Sequence, residues 1–209
     1  MKTRKELENL LIEYGSLMGK KNFTPGTSGN MSFRYGDKVL ITASGTANGY
    51  LKSGDFVLID YDGNLAENSG KKPSSEKLLH TEIYKKRQDL NVVLHVHSPY
   101  LCSFAAVGIE LDKPVMAEIS YYFGKIPLAD YALPSTKELA ENTVKYFDEY
   151  DAVLMANHGF VIASNNIEDA YLKLELAESY AQVVLNTYAL GGAKLLTKEQ
   201  EKAILDLKN

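Results

Sequence analysis

The most chemically suggestive stretch of the chain is Val92-Val-Leu-His95-Val-His97-Ser-Pro99. In a strand, residues two apart share a face and lie about 7 Å apart along the chain, so both imidazoles can reach one ion while Leu94 and Val96 face the other way. Two partly buried strand histidines satisfied by their neighbours would give the same pattern. A third histidine follows the apolar run Ala152-Val-Leu-Met-Ala156, in Asn157-His158-Gly159, where the glycine leaves room for close approach. Three imidazoles with one carboxylate make a zinc site, or one for manganese or cobalt. Glu76 is a candidate for the carboxylate, and equally for a helix-dipole or capping acid, because it falls at the start of a helix opened by Ser74-Ser75. His80 lies one helical turn further along and reads as a supporting group rather than a ligand. Anion chemistry has three candidate loops: Gly26-Thr-Ser-Gly-Asn30, Thr42-Ala-Ser-Gly-Thr46 and Pro73-Ser-Ser75. Each offers hydroxyls and backbone N–H groups in a turn or at a helix start, and one of them abuts Glu76.

These residues need a scaffold, and the hydrophobic pattern outlines one. Leu7, Leu10, Leu11, Tyr14, Leu17 and Met18 recur at helical spacing. Short apolar or alternating runs at 30–34, 38–42 and 56–60 read as strands, the first two joined by the turn Tyr35-Gly-Asp-Lys38. A helix runs from Ser74-Ser75 to about Arg87, followed by a strand at 91–97 and a helix after Ser98-Pro99. Strands are expected near 115–119 and 124–127, a helix over 135–147, and a strand pair around 152–156 and 160–163. A long helix over 167–190 is closed by Gly191-Gly192, and Thr197 opens a short terminal helix. Mixed helices and short strands without a glycine-rich dinucleotide fingerprint predict a three-layer α/β/α domain rather than a Rossmann fold. No linker or internal repeat divides the chain, so one domain over residues 1–209 is expected.

Composition narrows the chemistry. The chain has 209 residues, four histidines and a single cysteine, Cys102, so a disulfide framework, a cysteine-based zinc knuckle and an iron–sulfur site are excluded. Acids number 27 against 23 Lys plus Arg, with no basic run that could track a phosphate backbone, which argues against nucleic acid as a partner. No window approaches 18 apolar residues and the amino terminus is charged, so neither membrane spanning nor secretion is expected, and the cytoplasm is.

Five motifs, Gly26-Thr-Ser-Gly-Asn30, Ile41-Thr-Ala-Ser-Gly45, Lys72-Pro-Ser-Ser-Glu76, His95-Val-His97 and Asn157-His-Gly159, resemble in order and spacing those of the class II aldolase/adducin family, nearest its fuculose-phosphate aldolase branch. The resemblance implies a three-layer α/β/α sandwich with a mixed, largely antiparallel central sheet. It implies that His95, His97, His158 and Glu76 hold zinc or another divalent metal, and that Glu76 turns acid/base once substrate displaces it. Gly29, Asn30, Ser44, Gly45, Ser74 and Ser75 would hold the substrate phosphate. The implied assembly is a homotetramer with active sites between subunits. The implied reaction is reversible cleavage of a ketose 1-phosphate to dihydroxyacetone phosphate and an aldehyde. At the same metal site, methylthioribulose-phosphate dehydratases and pentulose-phosphate 4-epimerases are alternatives; adducin-like scaffolds have lost the site, whereas this chain keeps its residues. Two departures stand out. Where the aldolases place a tyrosine after Lys113-Pro114, this chain has Glu118, as the dehydratases do, with Tyr121 and Tyr122 three and four residues on; Glu118 or a nearby tyrosine is the candidate second acid/base, and Tyr121, Tyr122, Phe123 and Tyr131 are candidates to line the far end of the sugar, or core aromatics. The stretch Ala203–Asn209 lacks the aldolases' aromatic tail, so a different lid, or none, is expected.

Overall fold

The computed structural model describes residues 2–208; Met1, and Asn209 at the end of the tail noted above, lie outside the described residues. Helix α1 (Arg4–Lys20) opens on a capping box between Thr3 and Glu6 and buries Leu7, Leu11 and Met18. Strands β1 (Asn30–Tyr35), β2 (Lys38–Thr42) and β3 (Phe56–Ile59) follow as an antiparallel meander, then α2 (Lys77–Lys86), β4 (Val92–Val96) and α3 (Pro99–Val107). After α4 (Ala117–Tyr122) and the two-residue β5 (Leu128–Ala129) come α5 (Lys137–Val144), the hairpin β6 (Ala152–Met155) and β7 (Gly159–Ser164), the long α6 (Ile167–Ala189) and α7 (Lys198–Leu205).

The strands form one seven-stranded sheet in the order β3-β2-β1-β4-β7-β6-β5, in which only the β5–β6 pairing is parallel. Its two faces carry separate apolar cores. Leu94 and Val96 of β4 join Leu7 and Leu11 of α1, Phe104 of α3 and Leu174 of α6 on one side. Val93 joins Leu79, Ile83 and Tyr84 of α2 and Leu139 of α5 on the other. The expected three layers are thus present, and because β4 is central and covered on both faces it reads as an almost unbroken apolar run.

Two expected strands are not where the pattern put them. The segment expected as a strand at 115–119 instead enters α4, because Met116, Ile119 and Phe123 fall at helical spacing and all three pack against the first core. The run at 124–127 makes only an isolated bridge from Ile126 to Leu111, and sheet pairing begins two residues later, at Leu128. No helix among the described residues is long and apolar enough to cross a membrane.

Candidate metal centre

Three chain segments meet at one end of the central strands. His95 sits in β4, fully buried, with its backbone paired to Asn30 of β1 and Val161 of β7. His97 follows just past the strand end, its N–H donating to the Phe23 carbonyl at 3.0 Å. His158 is held in the tight turn between β6 and β7, where Asn157 adopts a left-handed conformation (φ 54°) and His158 N–H donates to the Met155 carbonyl at 3.0 Å. Potential ligand atoms of the three imidazoles lie within 4.8 Å of one another. Gly159 is what lets them close up: a Cβ there would stand 2.7 Å from the Val96 carbonyl oxygen and 3.1 Å from carbons of both the His95 and the His97 ring.

Glu76 completes the cluster. It immediately precedes α2 and makes no side-chain capping bond. Its side chain turns inward instead, with Oε2 2.9 Å from His95 Nε2 and Oε1 3.1 Å from His158 Nε2. The latter pair is close but not aligned as a hydrogen bond, so Oε1 is a buried oxygen with no hydrogen-bond partner among the described residues. Burial alone would raise the Glu76 pKa, but the charge of His95 and the close approach of both His95 and His158 outweigh it and hold the carboxyl far below the usual carboxylate range. Burial likewise opposes protonation of His95, yet the Glu76 charge raises its pKa; burial and then the charge of His95 lower His97 to about 3.

The proton count shows that this donor set fits a cation. His95 Nδ1 lies 3.0 Å from the Phe160 carbonyl, which can only accept, so Nδ1 carries a proton, and in the neutral ring Nε2 presents a lone pair. That lone pair faces a carboxylate oxygen at 2.9 Å and His97 Nε2 at 3.0 Å. Acceptors so close repel unless a proton or a cation sits among them. Three imidazole nitrogens and a carboxylate oxygen, partly sheltered from solvent, are a ligand set for a divalent metal.

The anion loops reach the same place. A cavity of about 180 Å³ is lined by Glu76, His97 and His158 and by all six residues expected at the phosphate: Gly29, Asn30, Ser44, Gly45, Ser74 and Ser75. Main-chain bonds lock the loops together, Ser44 N–H donating to the Lys72 carbonyl at 2.9 Å and Ser74 N–H to the Thr42 carbonyl at 3.0 Å. Gly29 is required twice over: its φ is 72°, and a Cβ would stand 2.5 Å from the His95 carbonyl oxygen. A larger cavity, about 470 Å³, opens between α1, β1 and the start of α6 and is lined by none of these residues.

Glu118, by contrast, is exposed in the first turn of α4 and does not line the 180 Å³ cavity, and neither do Tyr121, Tyr122, Phe123 or Tyr131. Pro134 and Ser135 do line it, and sequence reasoning passed over both. Ser135 has a φ of 71°, a conformation that nothing in its residue type announces. His80 stands outside the histidine cluster and is hydrogen-bonded through Asn30.

The chain is similar to known proteins along most of its length. It is 36% identical over 203 residues to a 5-deoxy-D-ribulose 1-phosphate aldolase of Bacillus thuringiensis, covering 96% of this chain and 93% of that one. It is 36% identical over 165 residues to an L-fuculose phosphate aldolase of Methanocaldococcus jannaschii, covering 79% and 88% respectively. A solved L-fuculose 1-phosphate aldolase superposes with a TM-score of 0.91 at 29% identity, over 99% of this chain and 97% of that one. Residues 9–185 match the class II aldolase and adducin N-terminal domain, and with the fold, the imidazole cluster and these relatives the chain belongs to the class II aldolase/adducin family.

Proposed function

We propose that the protein is a metal-dependent aldehyde-lyase that reversibly cleaves a ketose 1-phosphate, of the 5-deoxyribulose or fuculose phosphate type, to dihydroxyacetone phosphate and an aldehyde. The observation that carries this reading is the meeting of His97, His158 and Glu76 with the glycine- and serine-rich loops in one cavity, with His95 buried directly against Glu76 and His97. The relatives named for such substrates support the substrate class. Zinc, or manganese or cobalt, held by His95, His97, His158 and Glu76 would supply Lewis acidity toward substrate oxygens. Gly29, Asn30, Ser44, Gly45, Ser74 and Ser75 bind and orient the phosphate, mainly through N–H and hydroxyl donors, which fixes the reacting carbons beside Glu76. Glu76 protonates C3 after C3–C4 cleavage and removes that proton in the synthetic direction. Glu118 takes the C4 hydroxyl proton, and because it does not line the cavity of its own chain we place it at the site of a neighbouring copy in a homotetramer.

A panel of ketose 1-phosphates, assayed for dihydroxyacetone phosphate with and without a chelator, tests the reading. Release abolished by the chelator and restored by zinc is the expected result. Glu76→Gln should lower kcat by about 10²–10⁴. Near-wild-type turnover with metal bound would remove Glu76 from its acid/base role. Conversion of a sugar phosphate with all its carbons retained would replace cleavage by dehydration or epimerisation.

A further inference from the structure

A line of buried polar groups runs from the interior of the second layer to the back of Glu76. Tyr84, His80 and Ser32 are fully buried, and Asn30 and Glu76 nearly so. The direction of each hydrogen bond between Glu76 and Ser32 can be deduced from the Glu76 end. Oε2 of Glu76 accepts from Asn30 Nδ2 at 3.1 Å, which turns Asn30 Oδ1 toward His80. An amide oxygen only accepts, so His80 Nε2 carries a proton and donates it. His80 Nδ1 is then a lone pair, 2.7 Å from Ser32 Oγ, whose single proton must point at it. Tyr84 Oη closes the inner end of the line, donating to the Ser32 carbonyl oxygen at 2.9 Å and lying 2.9 Å from Ser32 Oγ. Three side chains from β1 and α2, Ser32, His80 and Asn30, thus form a one-way series of donors that ends on a single carboxylate oxygen.

We propose that His80 is a positioning residue for the acid/base step: by holding its proton on Nε2 it fixes the Asn30 amide, which reserves Oε2 of Glu76 as an acceptor and leaves Oε1 as the oxygen that exchanges the proton with substrate. This rests on the aldolase reading above for the identity of the step, but the hydrogen-bond polarity does not. Oε1 is the oxygen with no hydrogen-bond partner of its own, turned toward His158 in the cavity wall. Were the Asn30 amide reversed, two acceptors would face each other at 3.1 Å and the carboxylate would lose the bond that orients it. His80 stands outside the histidine cluster, and both its ring nitrogens are engaged by neutral side chains, Ser32 and Asn30.

Side-chain nitrogen NMR of the zinc-loaded full-length protein, with histidine labelled in ¹⁵N, reads the polarity directly. Three neutral rings protonated on Nδ1 and one on Nε2 are expected, the last being the signal lost in His80→Gln. An Nδ1–H or imidazolium form of His80 would overturn the proposal whether or not any variant folds. For the positioning role, His80→Leu should keep one metal per chain yet lose about 10- to 100-fold in kcat. His80→Gln, which can still offer an N–H to Asn30, should recover most of it. Wild-type kcat in His80→Leu, or equal loss in both variants, would refute the role. If the wild type binds zinc but releases no dihydroxyacetone phosphate, the aldolase reading fails by itself. The cobalt-substituted proteins then decide about His80: an altered visible absorption band in His80→Leu, restored in His80→Gln, supports positioning of Glu76, and unchanged bands overturn it.

Discussion

At the scale of single residues, the centre depends as much on an absent side chain as on those present. Gly159 does not have a left-handed backbone, so the constraint on it is space alone. A methyl group there would meet a backbone oxygen at 2.7 Å, which cannot swing aside, and the two ring carbons at 3.1 Å. We therefore expect Gly159→Ala to cost about 1–3 kcal/mol in stability through overpacking. The same displacement of His95 and His97 should weaken metal binding more than an equally destabilising substitution in the α1 core. Thermal melts paired with metal titrations separate the two effects; a variant with lowered stability but undiminished metal affinity would show that the rings do not depend on this close approach.

At the scale of elements, the position of His97 is set from the opposite side of the sheet. Ser98 follows it directly and opens α3, a helix whose N-terminus has no local side-chain cap. The cap comes from Glu178 in α6, whose buried carboxylate accepts from Ser98 Oγ at 2.7 Å, Tyr100 N–H at 2.9 Å and Leu101 N–H at 2.9 Å. Glu178→Ala leaves those donors unpaired in an apolar setting, and we expect a loss of about 2–3 kcal/mol together with a weaker metal site. Glu178→Gln, which keeps an acceptor, should lose less, as chemical denaturation of both variants will show. This contact also marks the boundary of what the sequence could reveal. The His95–His97 pair, the glycine beside His158 and the loop before Glu76 were legible because strand periodicity and local turn chemistry place them. Glu178 was not, because its partners lie about eighty positions away and a glutamate within an amphipathic helix gives no sign of pointing inward. The misread segment at 115–119 fails for a related reason: a short apolar run fits a strand or one helical turn, and the packing of Met116, Ile119 and Phe123 against the first core decided it. Pro134 and Ser135 reach the cavity only through the path of the chain before α5.

At the scale of the whole molecule, an ion at this centre would tie together the start of α2, the end of β4 and the β6–β7 turn, so metal binding and global stability are linked. A metal that binds only the folded chain adds about 2.7 kcal/mol at a hundred times its dissociation constant, or roughly 5–10 °C in Tm for a chain of this size. Protons act on the same balance. In the folded chain without metal, burial lowers both His80 and His97 to about 3, whereas in the unfolded chain they titrate near 6.5. Between those values the unfolded state binds more protons, so stability rises with pH and is lost on acidification, by up to about 1.4 kcal/mol per pH unit for each fully neutral buried histidine. His95 has the opposite sign without metal, because its raised pKa favours the folded state below the unfolded value and that contribution disappears as pH rises through the folded one. A bound ion reverses this by requiring His95 to stay unprotonated, and requires the same of His97 and His158. The metal-loaded protein should therefore lose stability more steeply than the chelated one as pH falls below about 6.5, and the Tm difference between them should narrow toward pH 5. Melting curves from pH 5 to 8, with zinc or with chelator, measure that difference. A gap that stays constant across the range would mean that protons and metal do not compete for these imidazoles, and the His95, His97 and His158 cluster would have to be given up as the ligand set.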